Sequence, residues 1–132
     1  MKQSDKLTAY YFRAAHKTDT LYLDNQMQRL LYHASQNGIA AFVLYVDNGY
    51  NGLNFNRPAF SLMQQDIENG RLEKIVVESL DRISRNCIDI VAFADRAANF
   101  GVSLEAVNGD HVSLDWSRQL YAALSAKGGE RR

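Results

Sequence analysis

Apolar residues in this chain fall alternately into short continuous runs and into sets spaced by three and four, a pattern that predicts strand, helix, strand, helix throughout. Leu7 to Ala14 is rich in aromatic and apolar residues and too short for a stable helix, so it reads as a buried strand. Leu23, Met27, Leu30, Leu31 and Ala34 then recur at helical spacing, and Asn37-Gly38 supplies a left-handed stop. Ile39 to Val46 is apolar without interruption, as expected of a strand covered on both faces. After the polar loop DNGYNGLNFN, Pro58 suits the first turn of a helix that Phe60, Met63 and Ile67 continue and Asn69-Gly70 closes. Lys74 to Leu80 reads as the third strand. Ile88, Val91, Ala92 and Ala98 mark the next helix, which ends near Phe100-Gly101, and Val102 to Val107 reads as the fourth strand.

Strands and helices that alternate through short connections predict an α/β fold of three layers, a mostly parallel sheet of four to five strands with helices on both faces. Ligands of such sheets bind beyond the carboxyl ends of the strands. Arg13, the loop from Asp47 to Arg57 and the turn from Asp81 to Arg85 all fall at that edge. Within the turn, DRISRN sets Arg82 and Arg85 three residues apart where a helix is predicted to begin, so that both would project from one face. The planar guanidinium fork donates paired hydrogen bonds to phosphate oxygens in a way that lysine cannot copy. By themselves these six residues read more readily as solvated charges, with Asp81 and Asn86 as caps. The gathering of sequence-distant arginines at one sheet edge turns the reading towards a phosphate site.

Composition narrows the rest. At 132 residues and 46% hydrophobic content the chain makes one domain with a real core. Lys+Arg and Asp+Glu both number 15, so no overall field draws the domain onto nucleic acid or an anionic membrane, and any DNA affinity must be local. The single cysteine, Cys87, excludes an intrachain disulfide, and the sequence offers no clustered ligand set for a metal; no cofactor is expected. His16, His33 and His111 are scattered and read as ordinary surface or core residues. No apolar stretch has the length of a signal peptide or membrane span, which implies a cytoplasmic protein without a membrane partner. The boundary expected from composition divides residues 1–110 from a C-terminal segment, 111–132, that opens a helix and ends in the basic tail KGGERR.

The motifs YYFRAA, LDNQ, DNGYNGLNFNRPAF, LDRISRN and GVSLEAVNGD, in that order over residues 8–110, resemble the N-terminal catalytic domain of serine recombinases, the resolvase and invertase group, and above all the large serine recombinases of mobile elements. The resemblance implies a resolvase-like fold. It also implies site-specific DNA recombination, in which a serine hydroxyl attacks a phosphodiester, forms a phosphoserine link and rejoins strands after subunit rotation. Arginines fixed around the crowded phosphorus would stabilise its charge. Carried over by motif, these are Arg13, Arg57, Arg82 and Arg85; Asp81 would orient them or relay a proton, and Gln26 matches the glutamine of the family's first helix on the phosphate side. The implied partners are DNA and a second recombinase subunit, in a homodimer or a heterodimer. Tyr11, Phe12 and Phe60 read as core residues and not as platforms for bases.

Three departures change the expected activity. The family's nucleophilic serine follows its arginine by two residues, and that position here is Ala15, whose methyl group cannot attack phosphorus. Thr18, Thr20, Tyr10 and Tyr11 would have to leave the aligned geometry to replace it, and a misplacement of about 1 Å already costs on the order of a hundredfold. Asn48 and Asn51 stand where the family's loop carries an acid and a serine. Last, LDWSRQLYAALSAK resembles only the opening turns of the family's long dimerisation helix. Its apolar set Trp116, Leu120, Ala123 and Leu124 suits either a partner subunit or the domain's own surface. The expectation is therefore a recombination domain that does not cleave and binds DNA weakly with little sequence preference, or alternatively an accessory or inhibitory partner of an active recombinase. A receiver-like or nucleotide-binding domain ranks below both, since no glycine-rich loop follows the first strand and the acidic pair of a receiver is missing.

Overall fold

The computed structural model describes residues 6–16, 20–50, 56–112, 116–118, 120–122 and 124–125. Its elements run β1 (Leu7–Ala14), α1 (Thr20–Gln36), β2 (Phe42–Asn48), α2 (Pro58–Glu68), β3 (Leu72–Val77), a 3-10 turn (Leu80–Arg82), α3 (Cys87–Asn99) and β4 (Ser103–Ala106). The four strands form one sheet in the order β2-β1-β3-β4, and every pairing is parallel. β1 is central, which is why its side chains are apolar on both faces and seven of its eight residues are buried.

Alternation along β1 divides the core in two. Ala9 and Tyr11 face α2 and α3, where they pack with Phe60, Met63, Ile75 and Phe93. Tyr10 and Phe12 face α1 and pack with Leu30, Ala34 and Val76. The glycines predicted to end α1 and α2 do so at Gly38 and Gly70, with φ of 64° and 74°.

Several boundaries and faces differ from the expectation. The run Ile39 to Val46 does not form a strand covered on both faces: β2 begins at Phe42 and lies at the sheet edge. Its register pairs Leu44 with Tyr10, placing Phe42, Leu44 and Val46 on the α1 face, where each remains more than a third exposed. The reason lies in α1, which is drawn towards the other half of the sheet. His33 Nε2 meets Glu105 of β4 at 2.7 Å, and Arg29 pairs with Glu78 just beyond β3. Leu31, expected in the core, is on the opposite flank of α1 and is partly exposed.

In α3 the inward face is Ile90, Val91, Phe93 and Ala97. Of the four residues expected there only Val91 is buried, because the Phe93 ring, 5.0 Å from that of Phe60, claims the interior and sets the helix rotation. β3 ends at Val77, three residues before the predicted limit. C-terminal to β4, the described residues of 116–118, 120–122 and 124–125 are helical. Trp116 packs against the larger core cluster, Leu120 is buried, and the Tyr121 hydroxyl donates to Asp95 of α3 at 3.2 Å. Ala123 and Thr18 lie outside the described residues, as do Asn51 and the glycine after it.

Candidate phosphate-binding site

β1 runs on beside β2 as far as Ala14, whereas its pairing with β3 stops at Tyr10. The last turn of β1 therefore has an open edge on the β3 side, and the site is built on that edge. Gln26, wholly buried on α1, fills it: its Oε1 accepts from the Arg13 N–H at 3.3 Å and its Nε2 donates to the Arg13 carbonyl at 3.2 Å. Buried backbone groups need such partners. Arg82 Nη1 adds a second donor to the same carbonyl, also at 3.2 Å.

The Arg13 guanidinium is buried and donates to three carbonyl oxygens: Nε to Arg82 at 3.0 Å, Nη1 to Tyr50 at 3.0 Å and Nη2 to Asp81 at 2.7 Å. Arg57, preceding α2 and only 1% exposed, donates from Nη1 to the Tyr11 hydroxyl and to the Arg82 carbonyl, and from Nη2 to the Ile83 carbonyl. Its guanidinium also lies 4.6 Å from the centre of the Phe60 ring, a cation–π contact. Two of the expected phosphate ligands thus hold the DRIS turn against the end of β1.

Arg82 and Arg85 behave differently. Arg82 Nε and Nη2 grip both oxygens of Asp81 at 3.1 and 3.3 Å, and its guanidinium lies 5.3 Å from the centre of the Tyr22 ring. The two arginines do not share a helical face, since Arg82 closes the 3-10 turn and Arg85 lies in the connection before α3. Asn86 caps α3, its side chain accepting from the Ile88 N–H at 2.9 Å. Arg85 is exposed and lines, with Asp81, Ser84, Cys87 and His111, an open cleft of about 500 Å³.

Charge is concentrated here despite the neutral total. Burial lowers the pKa of the Arg13 guanidinium, and the cations of Arg82 and Arg57 push it the same way. Burial opposes ionisation of Asp81, but the Ser79 hydroxyl and Arg82 outweigh it and keep this carboxyl below its usual range. An anion arriving at this edge would relieve repulsion among the arginines.

A buried carboxylate that sequence reasoning passed over completes the site. Asp47, 1% exposed at the end of β2, accepts from the amides of Ala59 and Phe60 in the first turn of α2 at 2.9 and 3.0 Å, and from the Tyr11 hydroxyl at 2.7 Å. Tyr11 thus stands between Arg57 and Asp47. The signal available in the sequence was an acid closing an apolar strand ahead of an Arg-Pro helix start.

Ala15 follows the β1 terminus, where the Ala14 carbonyl accepts from the amides of Gly49 and Tyr50 at 2.8 and 3.1 Å. Neither tyrosine of β1 offers a nucleophile in its place. The Tyr10 hydroxyl is on the other face against His33 Nδ1 at 3.0 Å, and that of Tyr11 is enclosed.

Comparison with known proteins decides the family. Residues 8–126 match the family described as resolvase, N terminal domain. The chain belongs to this family. The N-terminal catalytic domain of TP901-1 integrase superposes with a TM-score of 0.73 at 27% identity, covering 96% of this chain and 97% of that one. A resolvase family site-specific recombinase from Streptococcus pneumoniae shares the fold with a TM-score of 0.70, at 24% identity over 96% of this chain and 89% of the other. A putative DNA recombinase of Bacillus subtilis (strain 168) is 23% identical over 104 residues, 79% of this chain. The chain spans 20% of the length of that relative. The four-stranded parallel sheet is that of the resolvase-like catalytic fold. Among the described residues no helix is long and apolar enough to cross a membrane.

Proposed function

We propose that this chain is a serine-recombinase catalytic domain that keeps an arginine-lined site for a DNA phosphate and does not cleave the strand. Ala15 carries the reading: at the position two residues beyond Arg13 it supplies neither a proton to remove nor a lone pair to attack phosphorus. Support for the retained site comes from the mutual repulsion of Arg13, Arg57 and Arg82, which an anion would relieve. In this reading Arg82 and Arg85 meet the phosphate first; the exposure of Arg85 and the hold of Asp81 on the Arg82 guanidinium support it. Gln26, wholly buried, serves by holding Arg13 and not by touching DNA. Binding by the domain alone is weak and largely indifferent to sequence.

The accessory reading, in which the C-terminal helical residues seat a partner recombinase, has less support, because Trp116 and Leu120 are spent on the domain's own core. The test compares the native chain with Ala15→Ser on a library of random-sequence duplexes, with covalent protein–DNA adducts read on denaturing gels. Adduct from the serine variant alone is expected. Adduct from the native chain overturns the claim of inactivity, and none from either removes the support for a competent arginine site.

A further inference from the structure

We propose that Tyr22 is a positioning residue of the phosphate site, whose ring steadies the Arg82 guanidinium while leaving two of its N–H groups available to grip one phosphate. The inference rests on the reading of Arg82 as a phosphate ligand and adds to it a residue of α1 that no motif marks.

A count of donors comes first. A guanidinium carries five N–H groups in one plane. Among the described residues Arg82 spends three of them: Nε and one hydrogen of Nη2 on the two oxygens of Asp81, and one hydrogen of Nη1 on the Arg13 carbonyl. One N–H therefore remains on each terminal nitrogen. Such a pair suits two oxygens of a phosphate and not a single round anion. The Arg82 side chain is 15% exposed, so the pair is within reach of a ligand in a way that the enclosed Arg13 and Arg57 are not.

Hydrogen bonds made in the guanidinium plane set its in-plane direction but resist tilting only weakly. Any further hydrogen-bonding partner that steadied it would use up one of the two remaining donors. An aromatic ring does not, because it attracts the cation through its face. Arg82 Cζ lies over the Tyr22 ring at 5.3 Å from its centre, within the range of that attraction.

The helix shows why the ring is there. Tyr22 and Gln26 are four residues apart on α1 and share one stripe of its surface. Gln26 clasps the Arg13 backbone, and Tyr22 meets Arg82, whose Nη1 donates to that same Arg13 carbonyl. One stripe thus serves both arginines. Tyr22 is also 38% exposed and belongs to neither core cluster, so packing does not account for an aromatic residue at this position.

The test has one arm without DNA and one with it. In the full chain, exchange of the Arg82 Nε–H with water is followed by nuclear magnetic resonance, with the buried Arg13 Nε–H as internal reference. Tyr22→Leu should speed exchange at Arg82 about threefold and leave Arg13 unchanged, and Tyr22→Phe, which keeps the ring, should restore the native rate. On a short mixed-sequence duplex at low salt, fluorescence anisotropy should show binding weakened roughly two- to fivefold by Tyr22→Leu, rescue by Tyr22→Phe, and no further loss when Tyr22→Leu is added to Arg82→Ala. Unchanged exchange at Arg82 overturns the inference, and so does a rise at Arg13 of equal size, which would be general loosening. Equal losses in the leucine and phenylalanine variants would assign the effect to the hydroxyl, and additive losses in the pair would uncouple Tyr22 from Arg82; either overturns it too. An Arg82→Ala chain that binds DNA as the native one does, beside an exchange arm that behaves as expected, overturns the phosphate reading, and with it any part of Tyr22 in binding.

Discussion

Arg13 Nε and Arg57 Nη1 donate to the same acceptor, the carbonyl oxygen of Arg82, each at 3.0 Å. One peptide group in the DRIS turn therefore holds two cations that arrive from β1 and from the start of α2. The arrangement explains how a turn without regular pairing keeps its place, and it ties the two arginines together, since moving the turn loosens both.

Arg57→Lys tests that arrangement. An ammonium is a point charge and cannot reach the Tyr11 hydroxyl and the carbonyls of Arg82 and Ile83 at once. Leaving buried acceptors without donors costs about 1–3 kcal/mol each, so a loss near the upper end is expected. Urea unfolding should show a lower midpoint with an unchanged slope. A midpoint equal to the native one would mean that the guanidinium fork contributes nothing to holding the turn.

Gln26→Ala removes the partner of the Arg13 N–H while the Arg13 carbonyl keeps Arg82. A loss of about 1–3 kcal/mol follows from the orphaned donor and the small cavity. Hydrogen exchange at the Arg13 amide is the direct check. Its protection should fall further than that of Ala9 in the centre of β1, and equal protection at both would speak against a local clamp.

How much of this was legible beforehand depends on whether the deciding contact was local. β1 was plain from its own composition, and Pro58, Gly38 and Gly70 announced their helix ends by chemistry that acts within a few residues. The bare face of β2 was not, because it depends on where α1 leans, and that is set by pairs such as His33 with Glu105 that lie far apart in the chain. Phe93 was missed for the same reason: only Phe60, on another helix, fixes which side of α3 turns inward. At the site, the motif located the arginines but not their state. Nothing in YYFRAA or RPAF says that Arg13 and Arg57 spend their donors on backbone carbonyls, or that Asp47 is buried against α2.

Alkaline pH should unfold the domain through its buried tyrosines. Burial raises the pKa of Tyr11 far above the ordinary value, with Asp47 adding to the shift and Arg57 opposing it; Tyr45 is raised by burial and by Asp66. The unfolded chain ionises near the ordinary tyrosine value of about 10. Stability is therefore intact below that pH and falls as pH rises towards the folded values, since the unfolded state releases protons that the native state retains. Near-ultraviolet absorbance and circular dichroism followed together should show the last phenolates appearing as the fold is lost. Tyr11→Phe should flatten the alkaline decline while lowering stability at neutral pH. Ionisation of every tyrosine in a chain that keeps its native dichroism would refute the argument.

Salt dependence separates a phosphate site from diffuse charge. Each DNA phosphate neutralised by a cation contributes about −0.9 to the slope of log affinity against log salt concentration. In a chain whose formal charges cancel, a measurable slope must come from a local cluster. Arg85→Ala and Arg82→Ala should each make the slope shallower by about one contact's worth and weaken binding evenly across sequences. Arg96→Ala provides the comparison. It removes an equal charge from the exposed face of α3, where Arg96 pairs with Glu68 away from the carboxyl edge of the sheet, and should leave the slope unchanged. If all three replacements flatten the slope alike, the arginines act only through summed charge, and the DRISRN turn has no special part in meeting the phosphate.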